Sequence, residues 1–93
     1  MLNLYVLEDD FIQQGRIEKI IRELLEDGHW KASAFEVFGK PLQLLEAFNE
    51  VGPHNIFFLD IEIKGEEVKG LEVAQKIREK DPTATIVFVT THS

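Results

Sequence analysis

Residues 55–60 read Asn-Ile-Phe-Phe-Leu-Asp, and this stretch decides the fold. A short apolar run bounded by polar residues is too short for a stable helix and predicts a buried strand. Two further runs have the same character, residues 2–7 (Leu-Asn-Leu-Tyr-Val-Leu) and residues 85–90 (Thr-Ile-Val-Phe-Val-Thr). Residues 34–38 give a weaker strand signal. The sequence therefore predicts four strands, three of them strongly.

The stretches between these strands have the apolar periodicity of amphipathic helices. We predict helices from Phe11 to Asp27, from Gly39 to Glu50 and from Gly70 to Lys80. Strands that alternate with helices imply right-handed crossovers and a parallel sheet that is covered on both faces. The expected fold is an α/β doubly wound parallel sheet, and the expected organisation is one domain over residues 1–93.

The composition excludes several classes of protein. The 93 residues carry 17 acidic side chains against 10 lysines and arginines, which gives a net charge of −7. Such an acidic segment repels phosphates, so we expect no direct nucleic-acid binding by it. The sequence has no apolar run long enough to span a membrane and no signal-peptide pattern. The absence of cysteine suits a cytoplasmic protein.

Polar side chains follow the three strong strands at the point where each strand ends. Glu8 and Asp9 follow the first, Asp60 ends the third and Thr90 ends the fourth. The carboxyl ends of parallel strands meet at one edge, where open α/β sheets bind ligands. Two carboxylates about 4 Å apart repel by about 4 kcal/mol at an effective dielectric of 20. Oxygen-only ligands indicate Mg²⁺ (or Mn²⁺) as the neutralising ion.

This combination can perform phosphoryl transfer. An aspartate at a strand tip can attack phosphorus when a metal neutralises the transferring oxygens and a hydroxyl donates to one of them. The product is an aspartyl phosphate, a labile and strongly charged group that suits a switch.

Four stretches carry a resemblance to a known family. They are Leu-Glu-Asp-Asp at 7–10, Phe-Phe-Leu-Asp at 57–60, the glycine-led segment at 70–82 and Ile-Val-Phe-Val-Thr-Thr at 86–91. With these motifs the whole chain resembles a response-regulator receiver domain, which implies a flavodoxin-like sheet in the order 2-1-3-4. The loop at 61–70 and the ending at 88–93 look most like LytTR-type regulators, which implies quorum sensing, competence or bacteriocin control.

The resemblance also implies a role for each site residue. Asp60 would be the phosphoacceptor, and Thr90 would be the switch hydroxyl that turns toward the phosphoryl group. The metal ligands would be Glu8, Asp9, Asp60 and the backbone carbonyl of Glu62. Asp10 matches no metal-binding position in the family, and we expect it to cap the first helix.

The function implied by the resemblance is signalling in a two-component system. A sensor histidine kinase, which commonly meets the first helix in this family, would phosphorylate Asp60 with Mg²⁺. A C-terminal DNA-binding domain outside this segment would then control transcription. The domain would catalyse its own phosphorylation and dephosphorylation but turn over no metabolic substrate. We therefore expect that the protein is not an enzyme.

The chain departs from the family pattern at its end. A receiver has a fifth strand with a lysine that pairs with the phosphoryl group, and two further helices. By the family pattern these elements would fall past residue 93, so we expect an incomplete receiver. The fourth strand would then be an open apolar edge, which recruits other chains. We therefore expect self-association through this edge, a homodimer, or a segment that is only marginally folded.

Two alternatives remain open. The first is a fragment of a haloacid-dehalogenase-type phosphatase, because Asp60-Ile61-Glu62 loosely matches its acid-x-acid loop. Against it, that loop normally follows the first strand and its second acid is normally aspartate. The second is a degenerate receiver that acts only as a protein-binding module, which the intact acids and Thr90 disfavour.

Overall fold

Strands and helices alternate along the chain as the sequence predicts. The computed structural model describes residues 2–28, 31–60 and 69–89. Its elements are β1 (Leu2–Leu7), α1 (Phe11–Glu26), β2 (Ala32–Phe38), α2 (Pro41–Ala47), β3 (Asn55–Asp60), α3 (Lys69–Lys80) and β4 (Thr85–Val89). Within the described ranges, no helix has both the length and the apolar character that crossing a membrane requires.

The four strands form one parallel sheet in the order β2-β1-β3-β4. β1 lies in the interior of the sheet, between β2 and β3, and its Leu7 is the register partner of Leu59. This arrangement confirms the predicted α/β fold and the flavodoxin-like order 2-1-3-4. It also brings the carboxyl ends of β1 and β3 next to each other.

Each face of the sheet carries its own apolar layer, because side chains alternate along a strand. Tyr5 and Leu7 of β1 face one layer, whereas Leu4 and Val6 face the other. α1 covers the second layer. α2 and α3 cover the first layer. The buried side chains that they contribute to it are Leu44, Val73, Ala74 and Ile77. Both faces of the strands that carry the site are therefore packed.

Three aromatic rings fix the centre of the first layer. The Tyr5 and Phe57 rings stack at 4.8 Å, and the Phe48 ring meets Phe57 edge-on at 4.9 Å. Phe48 has an extended backbone, and its ring is fully buried. α2 therefore stops before Phe48, and the predicted extension of this helix to Glu50 is wrong. The Lys80 ammonium lies 4.6 Å from the Phe48 ring centroid and donates to the Phe48 carbonyl.

The remaining boundaries follow the sequence closely. α1 ends at Glu26, and Gly28 has a φ of 82°, a left-handed conformation that glycine adopts without strain. β2 begins at Ala32, two residues earlier than predicted, because its first residue pairs with Leu2 of β1. The predicted last residue of the fourth strand, Thr90, lies outside the described residues.

A buried carboxylate closes the opposite end of the sheet. Asp81 accepts hydrogen bonds from the backbone N–H of Gly52 at 2.7 Å and from the N–H and hydroxyl of Thr83 at 2.9 and 2.5 Å. Burial raises the pKa of Asp81, but hydrogen bonds from Thr83, Gly52 and Asn55 outweigh burial and lower the pKa below its ordinary value. Asp81 thereby ties the end of α3 to the turn before β3.

Candidate functional site

The carboxyl ends of two neighbouring strands place three acids together. Glu8 follows the last residue of β1, and Asp60 is the last residue of β3. Because Leu7 pairs with Leu59 in a parallel register, the residues that follow them lie side by side. Asp9 is the next residue after Glu8. We call Glu8, Asp9 and Asp60 the acidic cluster.

The acidic cluster has the geometry of a cation site. One carboxylate oxygen from each of the three residues lies within 4.8 Å of the other two. Glu8 and Asp60 are each 1% exposed, and Asp9 is half-buried. Two like charges about 5 Å apart repel by about 3 kcal/mol at an effective dielectric of 20, and a bound cation would relieve this repulsion.

Glu8 is fixed at its backbone and at its side chain. Its N–H donates to the Phe38 carbonyl at 3.0 Å, which extends the pairing of β1 with β2 by one residue. Its carboxylate Oε2 accepts from the backbone N–H of Asp10 at 3.2 Å. One carboxylate oxygen is thus bonded within the β1–α1 turn, and the carboxylate as a whole is held in place.

Asp10 caps α1, as predicted. Its Oδ1 accepts from the backbone N–H of Ile12 at 2.8 Å and of Gln13 at 3.2 Å, and its own backbone is extended. The side chain is exposed and points into the helix terminus. The acid run at 8–10 therefore divides into two cluster members and one cap.

The predicted hydroxyl and carbonyl groups lie outside the described residues. Thr90 follows the last described residue of β4, and Glu62 lies in the range 61–68. The backbone just before Thr90 is described, and Val89 is the register partner of Asp60. The carboxyl ends of β3 and β4 are therefore adjacent, as the argument for Thr90 requires. The roles of Thr90 and Glu62 stay predictions.

The donors of the acidic cluster fit a hard divalent cation. All three are carboxylates, and Mg²⁺ and Mn²⁺ prefer oxygen ligands, which Mg²⁺ takes as one or two carboxylates plus water and phosphate. The half-buried position of Asp9 leaves one side of the cluster open to solvent. The site could thus hold a cation that keeps positions for water and for a phosphoryl oxygen.

The sequence reasoning missed one residue of this region, Gln14. Its side-chain Nε2 donates to the backbone carbonyl of Glu8 at 2.5 Å. Gln14 lies one helical turn after the cap at Asp10, so its side chain can reach back over the β1–α1 turn. The neighbouring Gln13 has the same side chain, so residue type alone could not choose between the two.

Two large apolar side chains are exposed beside the cluster. Phe11 is 86% exposed and Ile12 is 68% exposed, and both lie in the first turn of α1, directly after the acid run. Exposed apolar residues that adjoin a reactive site are candidates for contact with a macromolecular partner.

Comparisons with curated proteins give relatives over nearly the whole chain. Accessory gene regulator protein A of Staphylococcus epidermidis is 29% identical over 92 residues, which cover 99% of this chain and 38% of the relative. The protein of the same name from Staphylococcus aureus is 26% identical over the same extent. The chain thus spans well under half the length of these relatives. No family model matches it.

A solved structure has the same architecture. The response regulator TrrA from Thermotoga maritima, in complex with Mg²⁺ and BeF, matches with a TM-score of 0.63 and 26% identity, over 100% of this chain and 72% of that chain. Together with the relatives, it confirms the predicted resemblance to response-regulator receiver domains of the LytTR type. It also confirms the predicted fold.

Proposed function

We propose that this chain is the phosphoacceptor receiver domain of a two-component response regulator. The observation that carries the proposal is the acidic cluster, in which Glu8, Asp9 and Asp60 bring carboxylate oxygens within 4.8 Å of one another at one edge of a parallel sheet. The similarity to accessory gene regulators and to a response regulator structure supports the same assignment.

Asp60 is the proposed nucleophile. One of its carboxylate oxygens attacks the phosphorus of a phosphohistidine, the O–P bond forms, and the P–N bond breaks. The electron pair of that bond leaves with the imidazole of the donor, and the product is an acyl phosphate. Asp60 is the last residue of β3, so its carboxylate lies at the edge where parallel sheets bind ligands.

Glu8 and Asp9 are the proposed metal ligands, together with Asp60 and the backbone carbonyl of Glu62. A bound Mg²⁺ (or Mn²⁺) supplies charge neutralisation between these carboxylates and the transferring oxygens. Glu8 is held by its backbone and by the Asp10 N–H, so it keeps its carboxylate at the edge without reorganisation. The TrrA structure is a complex with Mg²⁺ and BeF, which supports this ligand chemistry.

Thr90 is the proposed switch residue. Its hydroxyl would donate to a phosphoryl oxygen on Asp60, so phosphorylation would draw the chain after β4 toward the site. The register of Asp60 with Val89 supports this, because it sets the end of β4 beside the phosphoacceptor.

The proposed phosphoryl donor is a sensor histidine kinase that contacts the first turn of α1. The donor must lie over the edge that holds Asp60, and the exposed Phe11 and Ile12 adjoin that edge. Apolar contacts at these two residues would orient the kinase while its phosphohistidine reaches Asp60.

The output of the whole protein is proposed from its relatives. They are gene regulators of more than twice the length of this chain, so we assign transcription control to a DNA-binding domain outside it. With its net charge of −7, the segment itself would not bind nucleic acid. We place the protein in the cytoplasm, in a quorum-sensing type of pathway, and propose that it turns over no metabolic substrate.

Phosphoryl labelling of the intact protein tests the proposal. Acetyl phosphate and Mg²⁺ should add one phosphoryl group to the wild type, detected by intact mass. Asp60→Asn should abolish labelling, whereas Asp10→Asn should retain it, because asparagine also caps a helix. Labelling of Asp60→Asn equal to that of the wild type would overturn Asp60 as phosphoacceptor.

Two measurements on the wild-type protein test the alternative functions, a phosphatase and a module that only binds proteins. A haloacid-dehalogenase-type phosphatase would hydrolyse a generic phosphate ester with multiple turnovers, and we expect no turnover. A module that only binds proteins would remain unlabelled with acetyl phosphate and would show no response to beryllofluoride. Either result would contradict the receiver function.

A further inference from the structure

We infer that Gln14 is a positioning residue for the metal site, acting through the peptide bond between Glu8 and Asp9. Its hydrogen bond to the Glu8 carbonyl fixes the peptide unit that joins two of the three carboxylate ligands, and so raises the affinity for Mg²⁺. This inference rests on the proposed function, because it concerns the same metal site.

The geometry of one peptide group carries the argument. Gln14 Nε2 donates at 2.5 Å to the carbonyl oxygen of Glu8. That carbonyl belongs to the planar unit whose other end is the nitrogen of Asp9. Fixing the oxygen therefore fixes the rotation of the plane, and with it the directions in which the side chains of Glu8 and Asp9 leave the backbone.

Two other hydrogen bonds of this turn hold the peptide groups on either side of the Glu8–Asp9 peptide. The N–H of Glu8 donates to Phe38 at 3.0 Å and anchors the peptide before Glu8. The Asp10 N–H donates to the Glu8 carboxylate at 3.2 Å and anchors the peptide after Asp9. The Gln14 side chain joins the intervening carbonyl, that of Glu8, to α1. The amide also lies against Gly39, where a Cβ atom would stand 3.7 Å from Nε2.

Repulsion within the acidic cluster gives this hydrogen bond its effect. The three carboxylates repel one another when no cation is bound, and rotation of the Glu8–Asp9 peptide is a direct way for them to move apart. A hydrogen bond that opposes the rotation keeps the ligands in the geometry that the metal needs. Groups that orient metal ligands in this way commonly contribute to affinity.

The test compares two adjacent glutamines in the intact protein. Gln14→Met removes the donor and keeps the length of the side chain. Gln13→Met makes the same change at a half-buried neighbour whose side chain has no hydrogen bond to the described residues. Mg²⁺ affinity is measured by isothermal titration calorimetry. We expect Gln14→Met to bind Mg²⁺ roughly three- to tenfold more weakly, the equivalent of one hydrogen bond, and Gln13→Met to match the wild type.

A spectroscopic readout separates positioning from general stability. Labelling glutamate carbonyls with ¹³C and aspartate amides with ¹⁵N selects Glu-Asp pairs, and among these 93 residues the pairs are Glu8–Asp9 and Glu26–Asp27. In the metal-free protein, Gln14→Met should shift the Glu8 carbonyl signal because the hydrogen bond is lost. The pair at the end of α1 should not move. A loss of stability alone would not produce this selective shift.

A milder variant keeps the test decisive if Gln14→Met folds poorly. Gln14→Asn retains the amide but is one methylene too short to reach the Glu8 carbonyl, so it should also weaken Mg²⁺ binding and shift the same signal. Wild-type affinity in both Gln14 variants would overturn the role of Gln14 and leave the proposed function intact. A wild type that binds no Mg²⁺ would overturn both.

Discussion

Asp60 and Val89 are register partners in the parallel pairing of β3 with β4. The last described residue of β4 therefore lies beside the proposed phosphoacceptor, and the next residue along the chain is Thr90. A chemical change at Asp60 would therefore take place beside the end of β4. It makes Thr90 the first residue at which to test signal transmission.

Thr90→Ala should separate phosphorylation from the response to it. Asp60 would still be labelled by acetyl phosphate, because its own carboxylate performs the attack. The spectral change on adding beryllofluoride, measured by ¹H–¹⁵N correlation spectra, should be largely lost in Thr90→Ala. Thr90→Ser keeps the hydroxyl and should retain it. An equal spectral response in the alanine and serine variants would contradict the switch role.

Asp60→Asn should stabilise the protein when no divalent cation is present. The substitution keeps the shape of the side chain and removes one of three mutually repelling carboxylates, so we expect a gain of about 1–3 kcal/mol in the free energy of unfolding. Stabilisation by added Mg²⁺ should fall in the same variant, because a ligand is lost. Urea unfolding in EDTA and in Mg²⁺ measures both effects, with Asp10→Asn as the control.

Substitution by alanine should lower stability at Phe57 and leave it nearly unchanged at Phe11. Phe57 is fully buried in the aromatic layer, so Phe57→Ala should cost about 3–5 kcal/mol of stability. Phe11 is exposed, so Phe11→Ala should leave stability nearly unchanged and slow phosphoryl transfer from the cognate kinase. Labelling by acetyl phosphate should be unaffected in Phe11→Ala. Equal transfer from the kinase to wild type and variant would exclude Phe11 from the contact.

The sequence predicts the sheet well because each strand depends on its own apolar run. The apolar runs at residues 55–60 and 2–7 are too short for stable helices, which favours buried strands, and the acids at their ends then meet by topology. The predicted end of α2 is wrong because tertiary packing of Phe48 overrides local periodicity. Gln14 was missed because a side-chain hydrogen bond depends on the path of a turn, which spacing does not specify.

The pH dependence of stability should contain a contribution from Asp81. Its pKa in the folded state is lowered, so the carboxylate stabilises the fold at pH values above its unfolded pKa, about 3.9. That contribution is lost as the pH falls from about 3.9 through the lower folded pKa. Asp81→Asn should lower the unfolding temperature at pH 7. It should also reduce the loss of stability that the wild type shows as the pH falls.

The control for Asp81 lies on α3, the helix that ends just before it. Glu79 is an exposed carboxylate of α3, and Glu79→Gln should leave the unfolding temperature and its acid dependence close to those of the wild type. Thermal unfolding from pH 2 to 7 makes the comparison. A profile for Asp81→Asn that is parallel to the wild-type profile would exclude Asp81 as the source of the dependence.

The 93-residue chain should self-associate through β4. Within the described part of the chain, β4 pairs with β3 alone, and Val87 and Phe88 are 38% and 43% exposed. An apolar strand whose outer backbone groups face solvent recruits a second strand, and a lysine on such a strand opposes this. Val87→Lys should therefore shift the chain toward monomer in sedimentation velocity. Ile20→Lys places the same charge on an exposed apolar site of α1 and should leave the association unchanged. A wild-type chain that is monomeric and unfolds cooperatively would contradict the prediction.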